Sequence, residues 1–242
     1  MADHFACVGL DVPERDAFAH LVDDLSRAAS RSTGPAGIRA LWSDPSGAAL
    51  ALFSPPDGKG ITCAKPSFVG RSRLVVWPTT MVEDPRGCPF CAVAMVEVRE
   101  GDQLLYPLAI ELDDVQLGPL DTSGPVTVGI TAFGESVEVW AGASEYQAGE
   151  HLYATQSLIP SGTFSPGGTD WPLRAEAILT GVVTRAERLT NGRTGAQFDQ
   201  CQVETLGATV DVVLAPMEEP LRPGQVIQGT FWLVGRRIDD DA

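Results

Sequence analysis

The chain has 242 residues, of which 32 are acidic and 17 are basic, so its formal net charge is −15. With 44% apolar and 20% charged residues, its composition is that of a globular protein and excludes a disordered or collagen-like chain. The acidic balance argues against nucleic-acid binding, because that function depends on Lys and Arg neutralising phosphates. The length fits one large domain or two to three small ones.

The first 60 residues are predicted to form a βαββ unit. Short apolar runs predict strands at residues 4–10, 38–42 and 48–53. Between the first two, apolar residues at helical spacing predict one helix, capped by Asp11 and ending before Gly34. Asp23 and Arg27 are spaced for an ion pair on its wet side.

The same segment resembles one half-module of the vicinal-oxygen-chelate (glyoxalase-like) superfamily. The matching stretches are VGLDVP at residues 8–13, the helix, and the turn SDPSG at residues 43–47. In that family a metal is often held by a His on the first strand and a Glu on the strand after the turn. Those positions are occupied by Cys7 and Ala51, so the resemblance implies a metal-free unit or binding scaffold over residues 4–60.

A C-x-x-C pair, Cys88 and Cys91, is the most specific chemical motif in the sequence. Such a pair can be a redox dithiol, and CPFC is similar to the glutaredoxin motif. It can also supply half of a zinc site, with Cys63 and either His4 or His151 completing it. Because the residues after the pair alternate like a strand, we favour a turn with two half-buried thiols and keep zinc or thiol chemistry as the alternative.

Two later stretches share a pattern of strand, turn glycine and alternating strand. They are VTVGITAFGESVEVWA at residues 126–141 and DQCQVETLGATVDVVL at residues 199–214. Their glycines, Gly134 and Gly207, are predicted to lie in turns and are 73 residues apart. This offset indicates an internal repeat.

Each copy is predicted to close with a long strand, at residues 149–158 and 224–234. The pattern over residues 104–238 resembles tandem oligonucleotide/oligosaccharide-binding (OB) barrels of about five strands each. The expected fold class is therefore α+β and predominantly β, with an amino-terminal βαββ unit followed by two small antiparallel β-barrel modules. The predicted domains are a βαββ-type unit at 1–75, an acidic β-barrel module at 76–165 and a second β-barrel module at 166–242.

The acidic excess is concentrated in the middle of the chain. Residues 1–75 are neutral, residues 76–172 carry a net charge of −12, and residues 173–242 carry −3. This asymmetry predicts an acidic surface that docks a basic protein partner, with the neutral segment serving self-association. Adjacent carboxylates such as Asp113 and Asp114 are expected on this solvated face.

The last module contains a small basic loop region with Arg185, Arg188 and Arg193, next to Phe198. A basic loop beside an aromatic ring could meet a phosphate or a single strand. Because the module as a whole is acidic, we favour the interpretation that these are ordinary surface arginines.

The expected location is the cytoplasm, without a membrane span. The chain starts without a basic, apolar leader, and no stretch approaches the roughly 20 apolar residues of a membrane span. Five scattered cysteines in a chain of this size predict reduced thiols. The excess of Arg over Lys is typical of a bacterial protein from a high-GC genome.

Three functional hypotheses follow from the sequence. The favoured one is a non-enzymatic binding or protein-interaction module, since no catalytic set is recognisable. The second is a metal- or thiol-dependent protein centred on Cys88 and Cys91. The third is a small-ligand pocket between the amino-terminal unit and the first barrel, lined by Trp42, Phe53 and Trp77.

Overall fold

A computed structural model describes residues 4–82, 90–163 and 173–238 of the chain. These residues form two α-helices, α1 (Arg15–Ala28) and α2 (Ala143–Ala148), and thirteen β-strands. The predicted fold class, α+β and predominantly β, is confirmed. All thirteen strands of the described residues belong to two sheets, one of four strands and one of nine.

The amino-terminal unit consists of α1 and the four-stranded antiparallel sheet. Its strands follow chain order: β1 (Ser30–Gly34), β2 (Gly37–Ser43), β3 (Ala48–Ser54) and β4 (Cys63–Phe68). The helix packs its apolar side, with Leu25 buried, against β2 and β3. On its wet side Arg27 pairs with Asp23 at 2.8 Å, as predicted, although the residue before the first turn is Glu14 and not Asp11.

The predicted strand at residues 4–10 is wrong, because this segment forms a turn and a short 3-10 helix at Ala6–Val8. The amides of Val8 and Leu10 both donate to the Phe5 carbonyl, and Gly9 has a φ of 66°. The side-chain amide of Asn191 donates to the Val8 carbonyl at 2.8 Å. The segment is apolar because it is buried against the rest of the chain and not because it joins a sheet.

The nine-stranded sheet closes on itself twice. Its strands are β5 (Leu74–Val82), β6 (Val93–Glu100), β7 (Gln103–Leu112), β8 (Val126–Trp140), β9 (Ser157–Ile159), β10 (Glu176–Thr190), β11 (Gln197–Thr205), β12 (Ala208–Leu214) and β13 (Val226–Arg237). The first ring is β5–β6–β7–β13–β8, and the second ring is β10–β11–β12–β8–β13. Each ring contains one parallel pair, β7 with β13 and β12 with β8.

The two rings share β8 and β13, which pair with each other from Trp140 and Val226 to Val128 and Arg237. The first ring consists of the meander β5–β7, the strand β8 that follows it, and β13 from the second half. The second ring consists of the meander β10–β12, the strand β13 that follows it, and β8 from the first half. Each ring therefore has five strands, but neither ring is complete without the other. The likeness to OB barrels and the predicted domain boundaries stay predictions.

The structure shows an internal repeat, but it matches different segments of the chain from those that the sequence pattern predicted. The meander β5–β7 corresponds to β10–β12, and β8 corresponds to β13. The predicted alignment instead matched β8 with the β11–β12 hairpin. Gly207 does lie in a turn, with a φ of 68°.

Gly134 lies within β8, where it pairs with Phe231, so the predicted turn is wrong. A Cβ at this position would overlap with the Leu214 side chain, and glycine here allows a close approach of two strands. The long strand predicted at residues 149–158 is also wrong. That segment follows α2 and contributes only β9 near its end.

One continuous apolar core fills both rings. It includes Val96 and Ile110 of the first meander, Val203 and Val212 of the second, and Phe231 of the shared pair. A second cluster joins the amino-terminal unit to the outer face of the second ring. In that cluster Leu50 and Phe68 of the unit pack with Phe198 and Val213 of the second ring. The interface between the unit and the ring holds the candidate site.

Candidate functional site

No metal centre is found among the described residues around Cys91 of the predicted Cys88 and Cys91 pair. Cys88 lies outside the described residues, and Cys91 is half-buried just before β6. Among residues 4–82, 90–163 and 173–238, no group of three or more His, Cys, Asp and Glu side chains is arranged to hold a metal ion. The zinc and thiol hypothesis for this pair stays a prediction.

Trp42, Phe53 and Trp77 lie in different surroundings. Phe53 is fully buried and stacks on Phe90, with ring centroids 5.0 Å apart. Trp42 packs at the edge of the cluster between the unit and the second ring, and Trp77 lies on β5 beneath the Arg99 guanidinium at 5.2 Å. The pocket predicted from these three residues stays a prediction, and the cavities described below have other linings.

The three arginines of the predicted basic loop have different roles. Arg188 donates two hydrogen bonds of 2.8 Å to the buried Asp199 carboxylate. Arg193 pairs with Asp24 of α1 at 2.5 Å. Arg185 instead lines a cleft, with Glu187 3.6 Å away. Two of the three therefore pair with carboxylates of the fold, and the third faces a cavity.

This cleft, the junction cleft, lies between the amino-terminal unit and the second ring and has a volume of about 400 Å³. Its lining comes from residues 43–47, from residues 68–71 at the end of β4 and just after it, and from Arg185, Glu187, Leu189, Gln200, Gln202 and Asp211 of β10–β12. Small-molecule sites are typically concavities of about 300–1,000 Å³, so the cleft has the size of a ligand site.

A tight turn between β2 and β3 forms one wall of the junction cleft. The amide and hydroxyl of Ser46 both donate to Asp44 Oδ1, and the amide of Gly192 donates to Asp44 Oδ2 at 2.5 Å. Gly47 has a φ of 86°, and a Cβ there would press on the Phe68 ring. The Asp44 carboxylate thus fixes the turn and ties it to the β10–β11 loop.

A buried carboxylate, Asp211 of β12, lies at the floor of the junction cleft and is 1% exposed. The amides of Arg71 and Ser72 each donate to its Oδ2 at 2.6 Å, and the Gln200 side chain donates to Oδ1 at 3.2 Å. A Cβ on Gly70 would overlap with the carboxylate. The chain after β4 therefore wraps around Asp211 and positions Arg71 at the cleft.

A second, smaller cavity of about 10 Å³ lies behind this floor and has room for about one water molecule. It shares Phe68, Gly70 and Asp211 with the junction cleft, and Asp113 and Arg236 also line it. All three parts of the fold, the amino-terminal unit and both rings, meet at this point. The floor of the junction cleft therefore lies where these three parts pack together.

Asp113 and Asp114 are not on a solvated face, so that expectation is wrong. Asp113 accepts hydrogen bonds from Arg39 at 2.8 Å and from Ser67 at 2.5 Å, and it is 2% exposed. Asp114 pairs with Arg237 at 2.7 Å. These carboxylates connect the sheet of the amino-terminal unit to the ends of β7 and β13, which the charge pattern of the sequence does not reveal.

Burial raises the pKa of the Asp211 carboxyl above its ordinary value of 3.8. Polar interactions with Ser72, Gln202 and the nearby Arg236 lower this pKa but do not cancel the effect of burial. Because the folded state holds this proton more tightly, Asp211 favours folding most below pH 3.8. That contribution is lost as the pH rises through the raised pKa.

We therefore expect the stability of wild-type protein relative to Asp211→Asn to fall as the pH rises above about 4. The asparagine oxygen can accept from Arg71 and Ser72, and the Gln200 amide can rotate to accept from its nitrogen, so the variant should fold. Urea unfolding at a series of pH values measures the difference. A difference that does not vary with pH, or that grows in favour of the wild type as pH rises, would contradict this assignment.

No sequence pattern marks Asp211 as a site residue. It stands in the alternating stretch Val210-Asp211-Val212, where an acidic residue between apolar ones is typical of a solvent-facing position. Asp211 does point out of its ring, but the segment after β4 covers it. Only the tertiary packing of the amino-terminal unit makes the carboxylate internal.

Comparison of the chain with protein-family models, with curated proteins and with solved structures gives no match. Within the described residues, no helix is both long and apolar enough to cross a membrane.

Proposed function

We propose that the protein is a non-enzymatic binding protein whose junction cleft takes a small polar ligand. The carrying observation is a cleft of about 400 Å³ with a predominantly polar lining, built where the amino-terminal unit meets the second ring. The position differs from the predicted pocket, which was placed beside the first barrel. Binding in the cytoplasm is the setting we propose.

Rigid walls support a binding role. The turn at Asp44 and the segment around Asp211 are each held by hydrogen bonds to the second ring. A preformed site loses less conformational entropy when a ligand binds. The described residues that line the cleft include no His, Cys, Lys or Tyr, so this lining forms no Ser–His, Cys–His or Ser–Lys pair.

The test blocks the mouth of the cleft. Ser43 is exposed at its rim, and Ser43→Trp should fill the opening without disturbing the core. Ser30→Trp is the matched control, because Ser30 is an exposed serine of the same sheet that does not line the cleft. Binding of amino acids, dicarboxylates, sugar phosphates and nucleotides is measured by thermal shift and calorimetry.

We expect at least one compound to bind the wild type and Ser30→Trp equally and to bind Ser43→Trp at least about tenfold more weakly. If no compound binds with a Kd below about 1 mM, or if Ser43→Trp binds as the wild type does, the proposal fails.

Docking of a protein partner, or self-association, is a second proposal. Fewer acidic side chains are available for it than the net charge indicated. Three acidic residues of the middle segment, Glu111, Asp113 and Asp114, are engaged with Lys65, Arg39 and Arg237 inside the fold. Acidic side chains that remain exposed include Glu100, Asp102, Glu135 and Glu138. A monomer in light scattering with no captured basic partner would count against it.

A further inference from the structure

The charged groups that line the junction cleft differ in how they are already used. The Asp44 carboxylate accepts three hydrogen bonds, from the amide and hydroxyl of Ser46 and from the amide of Gly192. The Asp211 carboxylate also accepts three, from two backbone amides and the Gln200 side chain. Both carboxylates therefore have most of their acceptor capacity filled by the protein itself.

The cleft also contains two arginines with exposed side chains, Arg71 and Arg185. They come from different walls, since Arg71 follows β4 and Arg185 lies on β10. Arg71 holds the floor through its backbone amide, a bond that does not use its guanidinium. The Arg185 guanidinium lies 3.6 Å from Glu187, beyond the range of a good hydrogen bond.

We propose that the junction cleft binds a small organic oxyanion, with Arg71 and Arg185 acting together on a carboxylate or phosphate group. The planar guanidinium presents paired donors that match both groups. Ser43 at the rim and Gln202 on β11 provide neutral hydrogen-bonding groups for the uncharged part of the ligand. This inference rests on the proposed function and adds the chemical class of the ligand.

A cationic ligand fits the cleft less well. It would have to pair with Asp44 or Asp211, whose oxygens already accept donors from the protein, or with Glu187 in competition with Arg185. An oxyanion can bind without breaking the hydrogen bonds to Asp44 and Asp211. It would only have to draw the Arg185 side chain away from a long, exposed ion pair, which contributes little.

The cleft also lies away from the acidic part of the sequence. It is formed by residues of the neutral first segment and of the last segment, and no described residue of 76–172 lines it. Arg236, which lines the inner cavity, adds positive charge next to Asp211. The repulsion of a small anion is therefore weaker at this face than it would be at residues 76–172, where most of the net charge of −15 is concentrated.

The experiment compares four probes, L-malate, glycerol 3-phosphate, glycerol and choline, on the wild type and on glutamine variants by calorimetry. We expect malate or glycerol 3-phosphate to bind while glycerol and choline do not, which also shows whether a carboxylate or a phosphate is preferred. Arg71→Gln and Arg185→Gln should each raise the Kd for the bound anion at least about tenfold. Glu187→Gln should lower this Kd, because the carboxylate that competes for Arg185 is removed.

Arg73→Gln is the matched control, since Arg73 is exposed two residues from Arg71 and does not line the cleft. It should bind the anion as the wild type does. Choline or glycerol binding more tightly than both anions would overturn the oxyanion assignment, as would unchanged anion binding in both arginine variants. The proposed function fails separately, when Ser43→Trp leaves the binding of every probe unchanged.

Discussion

Replacement of Lys65 by Met is expected to lower the free energy of unfolding by about 3–5 kcal/mol. Lys65 is 6% exposed, donates to the Phe90 carbonyl and pairs with Glu111 of β7 at 2.5 Å. Burial lowers its pKa, but Glu111, Cys91 and Cys63 outweigh burial and leave the pKa above its ordinary value. The variant loses the cation and leaves a carboxylate without its partner, and urea unfolding measures the cost.

A double variant tests whether the loss comes from the uncompensated charge. In Lys65→Met/Glu111→Gln a neutral amide replaces the carboxylate, and its oxygen can still accept from Trp232 Nε1, so part of the stability should return. Arg27→Gln, which removes an exposed ion pair on α1, is the control and should cost no more than about 1 kcal/mol. A single variant as stable as this control would show that the buried pair does not hold the unit to the rings.

The second large effect is expected at Phe231, which is fully buried on the shared strand β13. Phe231→Ala should lower the free energy of unfolding by about 3–5 kcal/mol, because the truncation opens a cavity in the common core. Since β13 belongs to both rings, amides of β6 and of β11 should lose protection from hydrogen exchange to the same extent.

The control for this prediction is Leu206→Ala at a hairpin turn, where the side chain is half-exposed and the stability should change by less than about 0.5 kcal/mol. If Phe231→Ala does not fold, Phe231→Leu provides a milder truncation with the same readout. Loss of protection in one meander alone would mean that the two rings unfold as separate units and do not share their stability.

Local patterns of the sequence predicted much of the secondary structure. The i, i+3, i+4 spacing around Leu25 located α1, and the apolar run at Ala48–Ser54 located β3. Strand positions in the second half were also largely found, because alternation is a local property. The failure at residues 4–10 has the same origin, since a buried 3-10 turn and a short strand have similar apolar composition.

The closure of the rings could not be predicted from such patterns. Gly134 was expected in a turn because glycine often marks one, yet it lies in a strand where the Leu214 side chain comes close. Which strand completes which ring is decided by pairings between residues far apart in the chain, such as Asp211 with Thr131. Periodicity within a segment contains no information on these partners.

The junction cleft was missed for a related reason. Its residues come from a turn, a segment after β4 and three strands, and none of them forms a motif in sequence. Arg185 was singled out as part of a basic loop, but its companions Arg188 and Arg193 proved to be ion-paired with Asp199 and Asp24. Tertiary packing brings Arg71 to the same cleft as Arg185.

The most direct test of the central claim is a crystal structure of the protein with its tightest-binding anion, L-malate or glycerol 3-phosphate. The account predicts that the anion lies in the junction cleft, with its oxygens within hydrogen-bond distance of the Arg71 and Arg185 guanidinium groups. An anion bound elsewhere on the surface while the junction cleft holds only solvent would contradict the account.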